Sequence, residues 1–236
     1  MIATAHFPAE NIVVVLVFVA FVITGIWGSL RQKRADRLRS LEIQELAERL
    51  KFDDFNPNRD EGFVKGWGFL SQLAQGDNGY AFNILRGTYH EQALFVFDHH
   101  YQTGSGKSRE EHYGTIFMLI VKEAFPKVIV GHEREGLLAK AAAALLGGED
   151  EIKFESAEFS RIYCVRSGDK RFAYDVCNPQ MMEYLLANRD LEIEIQGPVI
   201  SLAFEPQLPV GQIEFNLQRL IEIRSRLPKY LLTQNA

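Results

Sequence analysis

The nineteen residues from Ile12 to Leu30, IVVVLVFVAFVITGIWGSL, hold no charged side chain, and only Thr24 and Ser29 bring polarity to the run. At about 1.5 Å of rise per residue, a helix of that length approaches the ~30 Å hydrocarbon core of a bilayer and satisfies its own backbone there. The run therefore reads as a transmembrane helix. A cleaved signal peptide wants a basic region ahead of the apolar core and small residues at a cleavage site. Here residues 1–11 contain no Lys or Arg, while Arg31, Lys33, Arg34, Arg37 and Arg39 follow the run at once. By the positive-inside rule this asymmetry predicts a single-pass protein of the cell inner membrane, N-terminus outside and C-terminal domain cytoplasmic. The expected partners are then the lipid bilayer for 12–30 and anionic lipid headgroups for the five basic residues.

The segments follow from this anchor: a short extracytoplasmic tail (1–11), the span (12–30), a basic stop with juxtamembrane helices (31–75), and a cytoplasmic domain (76–232) long enough for one substantial core. Formal charge is −5 over 236 residues. The tail carries one negative charge and 31–39 a net four positive, which leaves eight negative on 40–236. An acidic domain argues against nucleic acid as a partner. Two cysteines, Cys164 and Cys177, fit a reducing compartment without a disulfide framework.

Along the chain, Ile43, Leu46, Ala47 and Leu50 fall on one helical face and extend the span into a juxtamembrane helix. FNPNRD reads as a turn, and Phe63, Trp67, Leu70 and Ala74 as a helix. The period then changes to two. YAFNILRGTY, QALFVFDHHY and EHYGTIFMLIVK predict three strands of an antiparallel meander, closed by Pro126, with KVIVG a further strand. REGLLAKAAAALLGG predicts a helix, EFSRIYCV a strand, and KRFAYDVCNPQMMEYLLAN mostly helix, with Asn178 as N-cap and Pro179 at N1. In LEIEIQGPVISLAF the alternation of Leu191, Ile193 and Ile195 with Glu192, Glu194 and Gln196 predicts a hairpin turning at Gly197-Pro198, one face buried and one wet. Ile213, Leu217, Leu220 and Ile221 predict a closing amphipathic helix stopped at Pro228. The fold class is α+β: one transmembrane helix, then an antiparallel sheet with packed helices.

Two strings invite a chemical reading. GSGKS, from Gly104 to Ser108, ends like a phosphate-binding loop, but the GxxxxGK[ST] pattern needs a glycine where this chain has Tyr101, and a helix after it. It reads as a hairpin tip. The cluster Asp98, His99, His100, Tyr101, with His112 across the hairpin, offers metal ligands: if the register set His112 beside His100, then Asp98, His100 and His112 would hold a divalent cation such as zinc. The competing reading is a solvated strand end. No dinucleotide fingerprint, HExxH, CxxC or GxSxG occurs, so no cofactor is expected.

The order of LAxRLxFxxFNPxxD, GTY with FDHHYxTGSGK, FSxxYxV and EIxGPxISL behind an N-terminal span resembles a family of bacterial membrane-anchored proteins classified as a domain of unknown function. That resemblance implies the topology and carries no activity, cofactor or site residue. The favoured expectation is a membrane-anchored cytoplasmic binding or scaffold module with a protein or lipid partner, an enzyme being the less favoured class. The alternative is a membrane-bound metal-dependent hydrolase centred on Asp98, His100 and His112.

Overall fold

The computed structural model describes residues 9–132 and 151–232. The chain separates into two compact units, Met1–Gln44 and Glu45–Ala236.

Helix α1, Ala9–Leu50, runs 42 residues without a break, so the backbone of the apolar run 12–30 is helical. Most side chains of that run lie outside the described residues, and among the described residues no helix is long and apolar enough to cross a membrane. At its end Lys51 adopts a left-handed φ of 58°. The Lys51 N–H donates to the Glu48 carbonyl at 3.2 Å and the Phe52 N–H to the Ala47 carbonyl at 2.9 Å, the paired bonds of a Schellman stop with a lysine in the usual glycine position.

The globular unit is α+β. Among the described residues, seven strands form one sheet in which every pairing is antiparallel: β1 (Asp54–Asn56), β2 (Asp77–Tyr89), β3 (Gln92–Thr103), β4 (Glu110–His132), β5 (Glu151–Ile152), β6 (Tyr163–Ser167) and β7 (Ile193–Phe204). Strand β4 is the spine. Residues 115–119 pair with β3 and β7 at once, and Val128–Val130 pair with β6 and β7 at once, so β3 and β6 share one edge of β4 and β7 takes the other. Strands β2 and β3 join through His90 and Glu91, both at positive φ (46° and 62°), the two-residue turn whose twist suits a hairpin.

On one face of the sheet, Phe97, Ile116, Met118, Val199 and Ala203 pack with Val64 of α2 (Glu61–Gly66) and with Leu70 and Leu73. Phe117, Leu119, Ile200 and Leu202 alternate onto the other face and are equally buried. Each such side chain removed from water contributes about 1.5–3 kcal/mol. The helices after β5 are α3 (Ala157–Ile162), α4 (Lys170–Val176), α5 (Pro179–Ala187) and α6 (Ile213–Arg226). Asp169 caps α4 and Asn178 caps α5, with Pro179 at the first position as expected. The predicted helix in 134–148 lies outside the described residues.

Several sequence expectations are corrected. The helix expected through Ala74 ends at Gly66, and 67–75 runs as turns, since Gly62, Gly66 and Gly68 weaken helix propensity. Strand β4 does not close at Pro126; it passes through it, because Pro126 lies between Phe125 and Val128, where the register with β7 shifts and the ladder asks for no N–H. Gly197-Pro198 is no hairpin turn. Both halves of β7 pair with the same strand, and Gly197, at φ 54°, lies across from Phe125 in that shifted stretch, so the two strands bend together. Of the residues expected on the wet face, Glu192, just ahead of β7, and Glu194 are buried and Gln196 is half-buried. The first half of EFSRIYCV is α3, begun by Ser156 accepting from the Phe159 N–H.

Candidate functional site

The chemistry-bearing residues gather at the turn end of the β3–β4 hairpin. There the register pairs Asp98 with Thr115, His99 with Gly114, His100 with Tyr113, Tyr101 with His112 and Gln102 with Glu111. Directly opposed residues share a face and successive residues alternate. Asp98 and His100 therefore lie on one face and His112 on the other. The register that would have set His112 beside His100 is off by one residue, and the three expected ligands do not converge. Among the described residues no group of three His, Cys, Asp or Glu is placed to hold a metal ion.

On the first face, Asp98 is buried and accepts from Asn83 Nδ2 at 2.9 Å and Thr115 Oγ1 at 3.1 Å. Asn83 lies at φ 51° where the β2–β3 register shifts, so the bulge itself delivers that amide. The His100 ring stacks on Tyr80 with centroids 4.4 Å apart, Tyr113 flanks it, and its Nε2 meets the Glu111 carboxylate. The His100 hydrogen bond holds the Glu111 carboxyl below its ordinary range. Arg59 covers Tyr80 at 4.0 Å from the ring centroid. These contacts pin the hairpin to β2.

On the second face, Tyr101 stacks on His112 with centroids 4.6 Å apart and planes 11° from parallel. His112 Nδ1 lies 2.9 Å from Glu205 Oε1, and His112 Nε2 lies 2.8 Å from Thr103 Oγ1. The other Glu205 oxygen accepts from the Tyr101 hydroxyl at 3.0 Å. Burial first, and then the Glu205 carboxylate, push the Tyr101 phenol well above its ordinary range. His99, on the same face, is buried, and that burial, with His100 adding to it, brings its pKa down to about 4.

The GSGKS string forms the hairpin tip, as expected, with a short turn at Gly106–Ser108 between two strands and no phosphate-loop geometry. Cys164 and Cys177 are buried free thiols, and burial pushes the Cys177 thiol up. Between α5 and α6 a polar recess of about 500 Å³ is lined by Gln180, Glu183, Tyr184, Glu222, Ser225 and Arg226. Its guanidinium is engaged already, 4.0 Å above the Tyr184 ring and 2.5 Å from Glu222. Sequence reasoning missed Thr103 and Glu205. Glu205 lies 93 positions from His112, and no sequence pattern marks the pair; they meet because β7 runs beside β4, with Thr115 opposite Phe204.

No protein-family profile matches this chain, and no curated protein matches it by sequence. Among solved structures it is similar to the crystal structure of the mycobacterial trehalose monomycolate transport factor A, TtfA, with 16% identity and a TM-score of 0.51 over 80% of this chain and 96% of that one. At that identity the likeness establishes a shared fold.

Proposed function

We propose that this chain is a membrane-anchored binding or scaffold module and that it does not act through a metal centre at Asp98, His100 and His112. The observation that carries the reading is the fold correspondence with TtfA, a protein named for transport of trehalose monomycolate, over most of both chains. The division of Asp98 and His100 from His112 between two faces of the sheet supports the same choice, because hydrolysis at a metal needs its ligands on one side of one ion.

In this reading the run from Ile12 to Leu30 is the anchor in a bacterial inner membrane, N-terminus outside and globular unit in the cytoplasm. Arg31, Lys33, Arg34, Arg37 and Arg39 meet anionic headgroups, each worth about 1 kcal/mol near such a surface. The globular unit engages a protein or lipid partner.

The test is metal analysis with native mass spectrometry on the full-length chain, purified in detergent without chelator. A metal-free chain that retains lipid or a protein partner is the expected result. Stoichiometric zinc, lost on His100→Ala or His112→Ala, would restore the hydrolase. Reporter fusions at both ends test the topology, and a periplasmic signal from the C-terminus would overturn it.

A further inference from the structure

The second face of the hairpin holds an arrangement that a binding role does not call for. Ionised Glu205 can only accept hydrogen bonds, so the Nδ1 that lies 2.9 Å from it must carry the imidazole proton. With the proton on Nδ1, His112 Nε2 is left with a lone pair. The lone pair is aimed at Thr103 Oγ1, 2.8 Å away, so the threonine hydroxyl donates to it. Hydroxyl, imidazole and carboxylate thus stand in the order of nucleophile, base and orienting group. The stacked Tyr101 holds the ring from a further side, and the Tyr101 hydroxyl holds the far oxygen of Glu205. Access is open: Thr103 is half-buried, and the His112 and Glu205 side chains keep 21% and 29% of their surface exposed.

We propose that Thr103 is an activated hydroxyl, with His112 as its general base and Glu205 as the orienting group, and that it accepts an acyl group from a carboxylic ester. In the step, Oγ1 attacks the ester carbonyl carbon as its proton passes to His112 Nε2. The Glu205 carboxylate stabilises the imidazolium. The tetrahedral intermediate collapses with loss of the donor's alkoxide, which takes the proton back from Nε2 and leaves as an alcohol. One C–O bond forms on Thr103 and one breaks in the donor, and His112 returns to its neutral form. The binding module then carries a covalent attachment point at its hairpin tip, a role independent of the scaffold reading, so either can fail alone.

The test treats the full-length chain with p-nitrophenyl acetate and locates the adduct by intact mass and peptide mapping. The expected result is one acetyl group per chain, on Thr103, with a stoichiometric burst of p-nitrophenolate. Thr103→Val, which keeps the shape and removes the hydroxyl, should lose the adduct, and Thr103→Ser should keep it. His112→Asn should slow labelling by about 10²–10⁴-fold, the usual contribution of a general base, with Glu205→Gln slowing it in the same direction. Unchanged urea midpoints in Thr103→Val and Thr103→Ser separate chemistry from folding. A wild-type chain that stays unlabelled, an adduct mapped to another residue, or Thr103 labelling at the wild-type rate in His112→Asn would each overturn the proposal.

Discussion

The carboxylate of Glu194 accepts the backbone N–H of Ser71 at 2.8 Å, with neither residue exposed to solvent. Gln72 N–H points at its second oxygen from 3.4 Å, and Lys127 Nζ lies 4.0 Å away. One buried acid on β7 thus holds the middle of the irregular segment 67–75 that covers a face of the sheet.

Replacing Glu194 with Leu strands two buried amide donors and a nearby lysine, and should cost about 3 kcal/mol, read as a lower urea midpoint by Trp67 fluorescence. Glu194→Gln keeps an acceptor and should cost less. Burial raises the Glu194 pKa above the ordinary 4.5. The folded state therefore holds its proton longer, and the Glu194 contribution is full below that ordinary value and declines as pH rises through the folded one. The stability difference between wild type and Glu194→Gln should shrink as pH is raised.

His99 behaves in the opposite sense. Its pKa falls from 6.5 to about 4 in the fold, so the unfolded chain binds the proton more readily. Its contribution is present above about pH 6.5 and is lost as pH falls through about 4, amounting to about 3 kcal/mol in full. His99→Gln should flatten this part of the acid limb when urea midpoints are compared between about pH 7.5 and about pH 4.5. An unchanged limb would contradict the burial of a neutral His99.

Arg219 donates to both oxygens of Asp190, at 2.7 and 2.5 Å, and to Asn216 Oδ1 at 3.0 Å. The guanidinium is buried but the carboxylate side chain is 63% exposed, so water screens the pair and Asp190→Asn should cost only about 1 kcal/mol. The Arg219 hydrogen bond lowers the Asp190 pKa below 3.8. That contribution is present above the ordinary value and is lost as pH falls through the folded one. Wild type and Asp190→Asn should converge in acid urea titrations.

Two glycines at nearly the same φ should respond differently. At Gly76 (φ 58°) an added Cβ would lie 2.1 Å from the Gln102 carbonyl oxygen, whereas at Gly106 (φ 57°) nothing lies within 4 Å. Gly106→Ala should cost about 1 kcal/mol of left-handed backbone strain. Gly76→Ala adds a backbone collision and should drop the thermal midpoint far more. Equal effects on Tm would overturn the tight pairing of Gly76 with β3.

Periodicity and caps were legible in the chain itself. The alternation in 80–89, 92–101 and 111–122 is carried by local sterics and a buried face, and Asn178-Pro179 begins α5 through bonds within one turn. The apolar run 12–30 and its basic flank are likewise properties of composition. Long-range pairing decided the rest. Gly197-Pro198 looks like a turn until both halves of β7 find the same neighbour, and Glu194 looks wet until 67–75 folds over it. The candidate site divides in the same way. Asp98, His100 and His112 were visible as residue types, but a one-residue difference in register sends an imidazole to the opposite face, and that register is set by the geometry of the 104–109 turn, which residue type alone does not reveal. Thr103 and His112 meet through the β3–β4 register, and Glu205 joins them only because β7 lies beside β4, a juxtaposition made by burying two apolar strand faces.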